Sequence, residues 1–279
     1  MAYSTLSLKI TDHIAHLVLN RPEVRNAMSP EFWREMREAF AKIDATPAAR
    51  VVVISSTGPH FTAGLDVKAF APILAPASDE GCGGRLREQV RRLVLSLQET
   101  FSVIDRCRVP VLAAIQGGAI GGGVDLVSAC DMRYCTADAF FVIKEVALGI
   151  TADVGTLQRL PHLIPSGMMR ELAYTGRPLG AERAKEIGLV NEVYADQQAM
   201  VDDVMAIAGE IAAHSPLAVV GTKEMVNYTR DHTVADSLNY VATWQSGMLL
   251  SDDLGKAFAA ATEKTVAEFD DLLPAKEIG

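Results

Sequence analysis

Apolar and polar residues alternate from Leu6 to Leu19 in two runs, LSLKI and HIAHLVL, on either side of Thr11-Asp12. A period of two with a turn pair in the middle predicts a β-hairpin with one wet face. The period then changes. Ser29-Pro30-Glu31 offers an N-cap residue, a proline for the first helical position and an acid for the first turn, and a helical pattern follows to about Asp44. Val51 to Ser56, VVVISS, is apolar without alternation. Such a run suits a strand covered on both faces of a parallel sheet.

The strand-then-helix order recurs. A helical stretch runs from about Arg85 to Asp105, a strand begins at Pro110 with PVLAAI, glycines follow, a helix starts near Gly122, and AFFVI from Ala139 reads as a strand. Repeated βαβ units predict an α/β core with right-handed crossovers, whose ligands sit at the carboxyl ends of the strands. After about Pro165 the patterns are helical: Met168 to Tyr174, Ala181 to Ile187, Gln197 to His214, Pro216 to Arg230, and two more beyond Thr233. Residues 1–200 are expected to form the core and 201–279 a helical C-terminal region. Pro72 to Gly84 reads as a mobile loop.

With 279 residues, 49% hydrophobic and 22% charged, the chain is large enough to bury a full core. A net charge of -9 argues against a nucleic-acid surface, which wants a basic face. Cys82, Cys107, Cys130 and Cys135 show no CxxC spacing, and the six histidines, His60 and His162 among them, show no metal spacing, so no metal site is expected. The start, MAYSTLSLKI, lacks the regions of a secretory signal, no apolar run approaches the roughly 18 residues that cross a bilayer, and the terminal KEIG is no peroxisomal address. The default expectation is a cytoplasmic protein away from membranes.

Ile115 to Asp131, IQGGAIGGGVDLVSACD, takes a buried strand through glycines into a helix. Glycines there admit a ligand to the backbone, and the free N–H groups of the helix start face any negative charge before them. The same segment also fits a tight turn whose glycines serve sterics alone. It fails the GxGxxG pattern and lacks the Lys-Ser/Thr of a P-loop. A second strand end, FTAGLDVK from Phe61 to Lys68, again places small residues where main-chain donors are exposed, and two such donors from different loops could hold one oxygen.

FTAGLDVK, GGAIGGGVDL, CDMRY and KEVALGI, in this order, resemble the crotonase family, also called the enoyl-CoA hydratase and isomerase family. NRPEVRNAMS and TGRPLGAERAKEIGLVNEV extend the resemblance from about Ile10 to Phe269. It implies the crotonase (ClpP-like) spiral of repeated ββα units, with an acyl-CoA substrate and no cofactor beyond the coenzyme A that the substrate carries. It implies trimers that pair into hexamers, with the helical tail helping to cover the CoA site. It also implies an oxyanion hole made by the main-chain N–H groups of Leu65 and Gly122, and a CoA path along Asn26, Ala27, Thr62 and Ala63.

The hydratases of this family carry two glutamates where this chain has Asp125 and Glu145, and a glycine where it has Asp153. KEVALGITADVGTLQRLP and DHTVADSLNYVATW instead resemble the Δ3,5-Δ2,4-dienoyl-CoA isomerases, whose working pair falls at Glu145 and Asp153. The resemblance implies movement of double bonds by two carboxylates, Glu145 as base at C2 and Asp153 as acid at C6, with Asp125 a third acid nearby. That division of labour stays open, because coupled carboxylates share their titration. The alternatives are a 2-enoyl-CoA hydratase using Asp125 and Glu145, and a catalytically silent CoA or RNA binder. Asp131 and Arg133 are expected to be structural. Arg85, Arg87, Arg91 and Arg92 fit a solvated helix face or a contact with CoA phosphates.

Overall fold

The computed structural model describes residues 3–74 and 82–274. Strands β1 (Leu6–Thr11) and β2 (Ile14–Leu19) form the expected hairpin, with Leu6 opposite Leu19 and Thr11 opposite Ile14. The turn is Asp12-His13, one residue later than the pattern places it. Both residues have positive φ, +50° and +65°, as two-residue hairpin turns that match strand twist require. Helix α1 (Pro30–Ala45) begins after Ser29, and its buried Phe32, Met36, Ala39, Phe40 and Ile43 recur at helical spacing.

From β2 the sheet grows in parallel: β3 (Val51–Ser56), β4 (Val111–Ile115), β6 (Met132–Thr136) and β9 (Glu192–Tyr194), in the order β1-β2-β3-β4-β6-β9. All of β3 and β4 are buried because both faces are covered. Val52, Ile54, Val111, Ala113 and Ile115 enter the main core with α1. Val51, Val53, Leu112 and Ala114 meet a second layer formed by Met200, Val204, Ala208 and Ala212 of α8 (Gln197–Ala212). That four-residue spacing puts one stripe of α8 on the sheet, and the helix crosses the boundary expected at residue 200.

A second sheet, in the order β5-β7-β8, joins β5 (Gly118–Ile120), β7 (Phe140–Val142) and β8 (Leu179–Gly180). Strand pairs followed by helices make up the repeating plan of an α/β spiral. Helix α2 (Val67–Leu74) includes Pro72, and α3 (Gly83–Arg106) begins at Gly83, so the ends of the expected Pro72–Gly84 loop are helical. Residues 75–81 of that loop lie outside the described residues. In α3 only Thr100, Phe101 and Ile104 are buried, and Arg85, Arg87, Arg91 and Arg92 are exposed. Helices α4 (Gly122–Ser128), α5 (Thr156–Arg159), α6 (Ser166–Thr175) and α7 (Ala181–Glu186) link the strands, and α9 (Pro216–Thr229), α10 (Val234–Met248) and α11 (Asp252–Glu263) end the chain. Among the described residues no single helix is long and apolar enough to cross a membrane.

Buried polar groups tie these parts together. Arg133 is buried and donates to the carbonyls of Leu189 (2.6 Å), Cys130 (2.6 Å) and Val127 (3.4 Å), which satisfies the end of α4. Asp131 accepts from the Val111 amide and from Lys223 Nζ of α9, each at 2.7 Å. Glu35 accepts four hydrogen bonds of 2.7–2.9 Å from the amides and hydroxyls of Ser4 and Thr5. Burial pushes its carboxyl up, but those four donors prevail and hold it below its ordinary 4.5. A depressed carboxylate adds stability that is complete above the unfolded value and lost as pH falls through the lower folded value. Glu35→Gln is therefore expected to cost about 1–3 kcal/mol at neutral pH. Urea melts of the variant should also show a shallower loss of stability below pH 4.5.

Candidate active site

Most main-chain donors between Phe61 and Asp66 are spent on building the loop. The N–H of Phe61 goes to the Gln116 carbonyl, Thr62 to Gly118, Ala63 to Arg25 and Asp66 to Met28, while Gly64 donates to the Thr62 hydroxyl. Leu65 alone has no acceptor among the described residues. On the facing loop, Gly118 donates to His60 Nδ1, Ile120 to the Thr62 carbonyl and Gly121 to Val142, while Val124 and Asp125 donate to the Gly121 carbonyl. The N–H of Gly122, at the start of α4, has no acceptor among the described residues. That is the ordinary condition of a first helical turn.

The two loops are pressed together at Gly64. Its φ is +80°, and a Cβ there would lie 2.4 Å from the Ile120 carbonyl oxygen and 3.5 Å from the Gly122 nitrogen. No side chain fits, so the backbone just before Leu65 packs against the Ile120–Gly122 segment. Asn26 and Thr62 hold this junction. Asn26 is buried with φ +54°; its Oδ1 accepts from the Arg21 amide at 2.7 Å, and its Nδ2 donates to the carbonyls of Thr57 and His60 at 2.7 and 3.0 Å. Thr62, fully buried, donates from its hydroxyl to the Asn26 carbonyl at 2.7 Å. Ala27 and Ala63, by contrast, are half-buried and open to the surface beside Leu65.

Three carboxylates gather at the other end of these loops. Asp125 lies within α4 and is fully buried; its Oδ1 accepts the Thr156 amide at 2.6 Å, and its Oδ2 has no partner among the described residues. Burial pushes it up to about 7, the neighbouring Glu145 charge adds to the rise, and the Thr156 bond works against it. Glu145 opens a single 3-10 turn, Glu145–Leu148, after β7. Its Oε1 would lie 3.2 Å from a Cβ on Gly121, and its Oε2 is buried without a partner among the described residues. Burial raises this acid too, and the charge of Asp153 raises it further. Asp153, in the turn before α5, is the most open of the three, and partial burial raises it. Glu145 thus acts electrostatically on one aspartate and feels the other. Among the described residues none of the three forms an ion pair, and carboxyls at raised values suit proton transfer.

Several contributors carry no sequence signal. The Thr156 amide reaches Asp125 across 31 residues, Gln98 Nε2 donates to the Asp153 carbonyl at 2.7 Å, and His60 serves as an acceptor for Gly118. Met28 and Phe101 crowd Gly122, where a Cβ would meet their side chains at 3.0 and 3.9 Å. The exposed apolar side chains Val146, Leu148 and Ile150 follow Glu145 directly. A cleft of about 440 Å³ lined by Gln98, Val154, Gly155, Arg159, His162 and Arg230 opens behind the Asp153 turn. A wider groove of about 760 Å³ lies between β6, α8, α9 and Phe269, and the three acids do not line it.

Comparison with known proteins places the chain among its relatives. The Delta(3,5)-Delta(2,4)-dienoyl-CoA isomerase, mitochondrial, of Homo sapiens is 50% identical over 266 residues, covering 94% of this chain and 80% of that protein. The peroxisomal protein of the same name from Arabidopsis thaliana is 44% identical over 271 residues, covering 96% and 98%. The crystal structure of an enoyl-CoA hydratase from Bacillus anthracis superposes with a TM-score of 0.86 at 30% identity, covering 95% of this chain and 99% of that one. The names of the relatives at 44–50% identity, mitochondrial and peroxisomal, correct the expectation of a cytoplasmic location. A profile of the enoyl-CoA hydratase/isomerase family matches residues 9–272, and the chain belongs to that family.

Proposed function

We propose that this enzyme converts 3,5-dienoyl-CoA to 2,4-dienoyl-CoA in fatty-acid β-oxidation, one carboxylate taking a proton from C2 and a second giving a proton to C6 while main-chain amides hold the thioester oxygen. The observation that carries this reading is the pairing of two N–H groups, at Leu65 and Gly122, that have no acceptor among the described residues with three acids, two of which, Asp125 and Glu145, each keep a buried oxygen without a hydrogen-bond partner among those residues. The names of the relatives at 44–50% identity support the substrate class.

Removing a proton from C2 puts negative charge on the thioester oxygen. Two preorganised donors would stabilise that charge, and loss of one such donor typically costs about 10²- to 10³-fold. Glu145 takes the C2 proton, giving a dienolate that extends from the oxygen to C6. Asp153 then delivers a proton to C6, which leaves double bonds at C2–C3 and C4–C5. Asp125 is the third acid; near neutrality it is partly protonated, which limits the negative charge around Glu145. Hydration is less favoured, because Asp125 is one methylene shorter than a glutamate and one of its oxygens is already held by Thr156. The reaction calls for no metal or redox cofactor, and coenzyme A enters as part of the substrate.

Ala27 and Ala63 are assigned to the CoA path by their position beside Leu65, and Asn26 and Thr62 to shaping that path from beneath. The chain is further assigned to homotrimers, or hexamers as dimers of trimers, with residues 201–279 as the oligomerisation region. Helix α10 buries none of its 15 residues, and Leu250 beside it is 93% exposed. An apolar surface of that kind points to a second copy.

Glu145→Gln and Asp153→Asn are each expected to lower turnover of 3,5-dienoyl-CoA at least about 10²-fold while leaving acyl-CoA binding within a few-fold. Steady-state kinetics with calorimetric binding checks both. Gly64→Ala, which forces the Ile120 carbonyl away, should reduce turnover about 10²-fold or more in protein that still folds by circular dichroism. Light scattering should give three or six times the 30.0 kDa chain mass, and Leu238→Glu with Leu250→Glu should lower it.

A further inference from the structure

The turn carrying Asp153 is held from behind by a cation. Arg159, the last residue of α5, places its guanidinium over Gly155, where φ is +137° and a Cβ would lie only 1.7 Å from Nη1. The guanidinium occupies that place because residue 155 has no side chain. Nη1 donates to the Val154 carbonyl at 3.4 Å, Nη2 donates to Ser102 Oγ at 3.3 Å, and Nε faces Asp105 Oδ2 at 3.6 Å. With its side chain 14% exposed, Arg159 depends on that acid, because a largely buried charge without a partner is costly.

Asp105 is itself anchored. Its Oδ1 pairs with Arg230 Nη1 at 2.8 Å, and its carbonyl accepts from Asn227 Nδ2 at 3.2 Å. A chain of contacts therefore runs from the end of α9, through the end of α3, to the turn that holds both Asp153 and the Thr156 amide. That amide is the one bonded to Asp125. The positive charge of Arg159 also reaches Asp125 and favours its ionised form.

We propose that Arg159, with Asp105 behind it, is a positioning residue for the isomerisation: the pair fixes the Asp153–Thr156 turn so that Asp153 and Asp125 keep their places around Glu145. Among the described residues the Arg159 side chain bonds neither Glu145 nor Asp153, so its action on them is through the turn it holds. Displacing a reacting group by about 1 Å can cost about 10²-fold in rate without weakening binding. The inference rests on the isomerase reading above.

The test uses the full chain as Arg159→Met, Gly155→Ala and Asp105→Asn. Turnover and KM for 3,5-dienoyl-CoA are measured alongside hydrogen–deuterium exchange of the same preparations. Arg159→Met and Gly155→Ala, which remove or displace the guanidinium from opposite sides, are expected to lower kcat by about 10- to 100-fold with KM within about threefold. Asp105→Asn should act in the same direction with a smaller loss. Exchange should quicken in peptides spanning residues 152–158 and stay unchanged in those spanning β3 and β4. Wild-type kcat in Arg159→Met, a loss confined to KM, or faster exchange spread through β3 and β4 would overturn the proposal. A wild-type chain that fails to isomerise the substrate would sink the functional reading, and the exchange pattern alone would then decide whether Arg159 holds the turn.

Discussion

Everything at this site depends on two loops lying so close that no Cβ fits between them. Gly64 sits against the Ile120 carbonyl, and the bonds that bring it there consume the amides of Phe61, Thr62, Ala63, Gly64 and Asp66. What remains is the amide of Leu65, next to that of Gly122. Main-chain amides suit an oxygen that becomes charged only in passing, because they are fixed before the reaction and need no reorganisation during it. The sheet explains their rigidity. Strands β3 and β4, from which the two loops emerge, are buried on both faces and form the centre of the larger sheet.

The acids obey the opposite logic. In a buried setting, Asp125 Oδ2 and Glu145 Oε2 have no hydrogen-bond partner among the described residues. Leaving such oxygens unpaired destabilises their ionised forms and lifts them toward neutrality, which is a cost to the fold and an advantage for proton transfer. The three acids sit on three different elements, α4, the turn after β7 and the turn before α5, so each has its own burial and neighbours.

Much of this was legible in the sequence because it follows from local pattern. The alternation of residues 6–19, the proline-led start of α1 and the unbroken apolar run at Val51 each reflect a single period or cap and recur in the structure. Strands of two or three residues, β5, β8 and β9, are too short for any period to show, and they are defined by their partners. At the site, motif and resemblance single out Glu145, Asp153, Leu65 and Gly122, but not what surrounds them. The support from Thr156, Gln98 and His60 comes from residues 31 to 58 positions away, and nothing local marks it. Asn26 and Thr62 are legible as motif members, but only the fold shows their polar atoms engaged in joining loops.

The central claim is that one group takes a proton from C2 and a separate one gives a proton to C6. It is tested most directly by incubating the chain with a 3,5-dienoyl-CoA in D2O and locating the label in the product by magnetic resonance. The account predicts a conjugated 2,4-dienoyl-CoA carrying deuterium at C6. A hydrated product, or a conjugated product with only protium at C6, would contradict it.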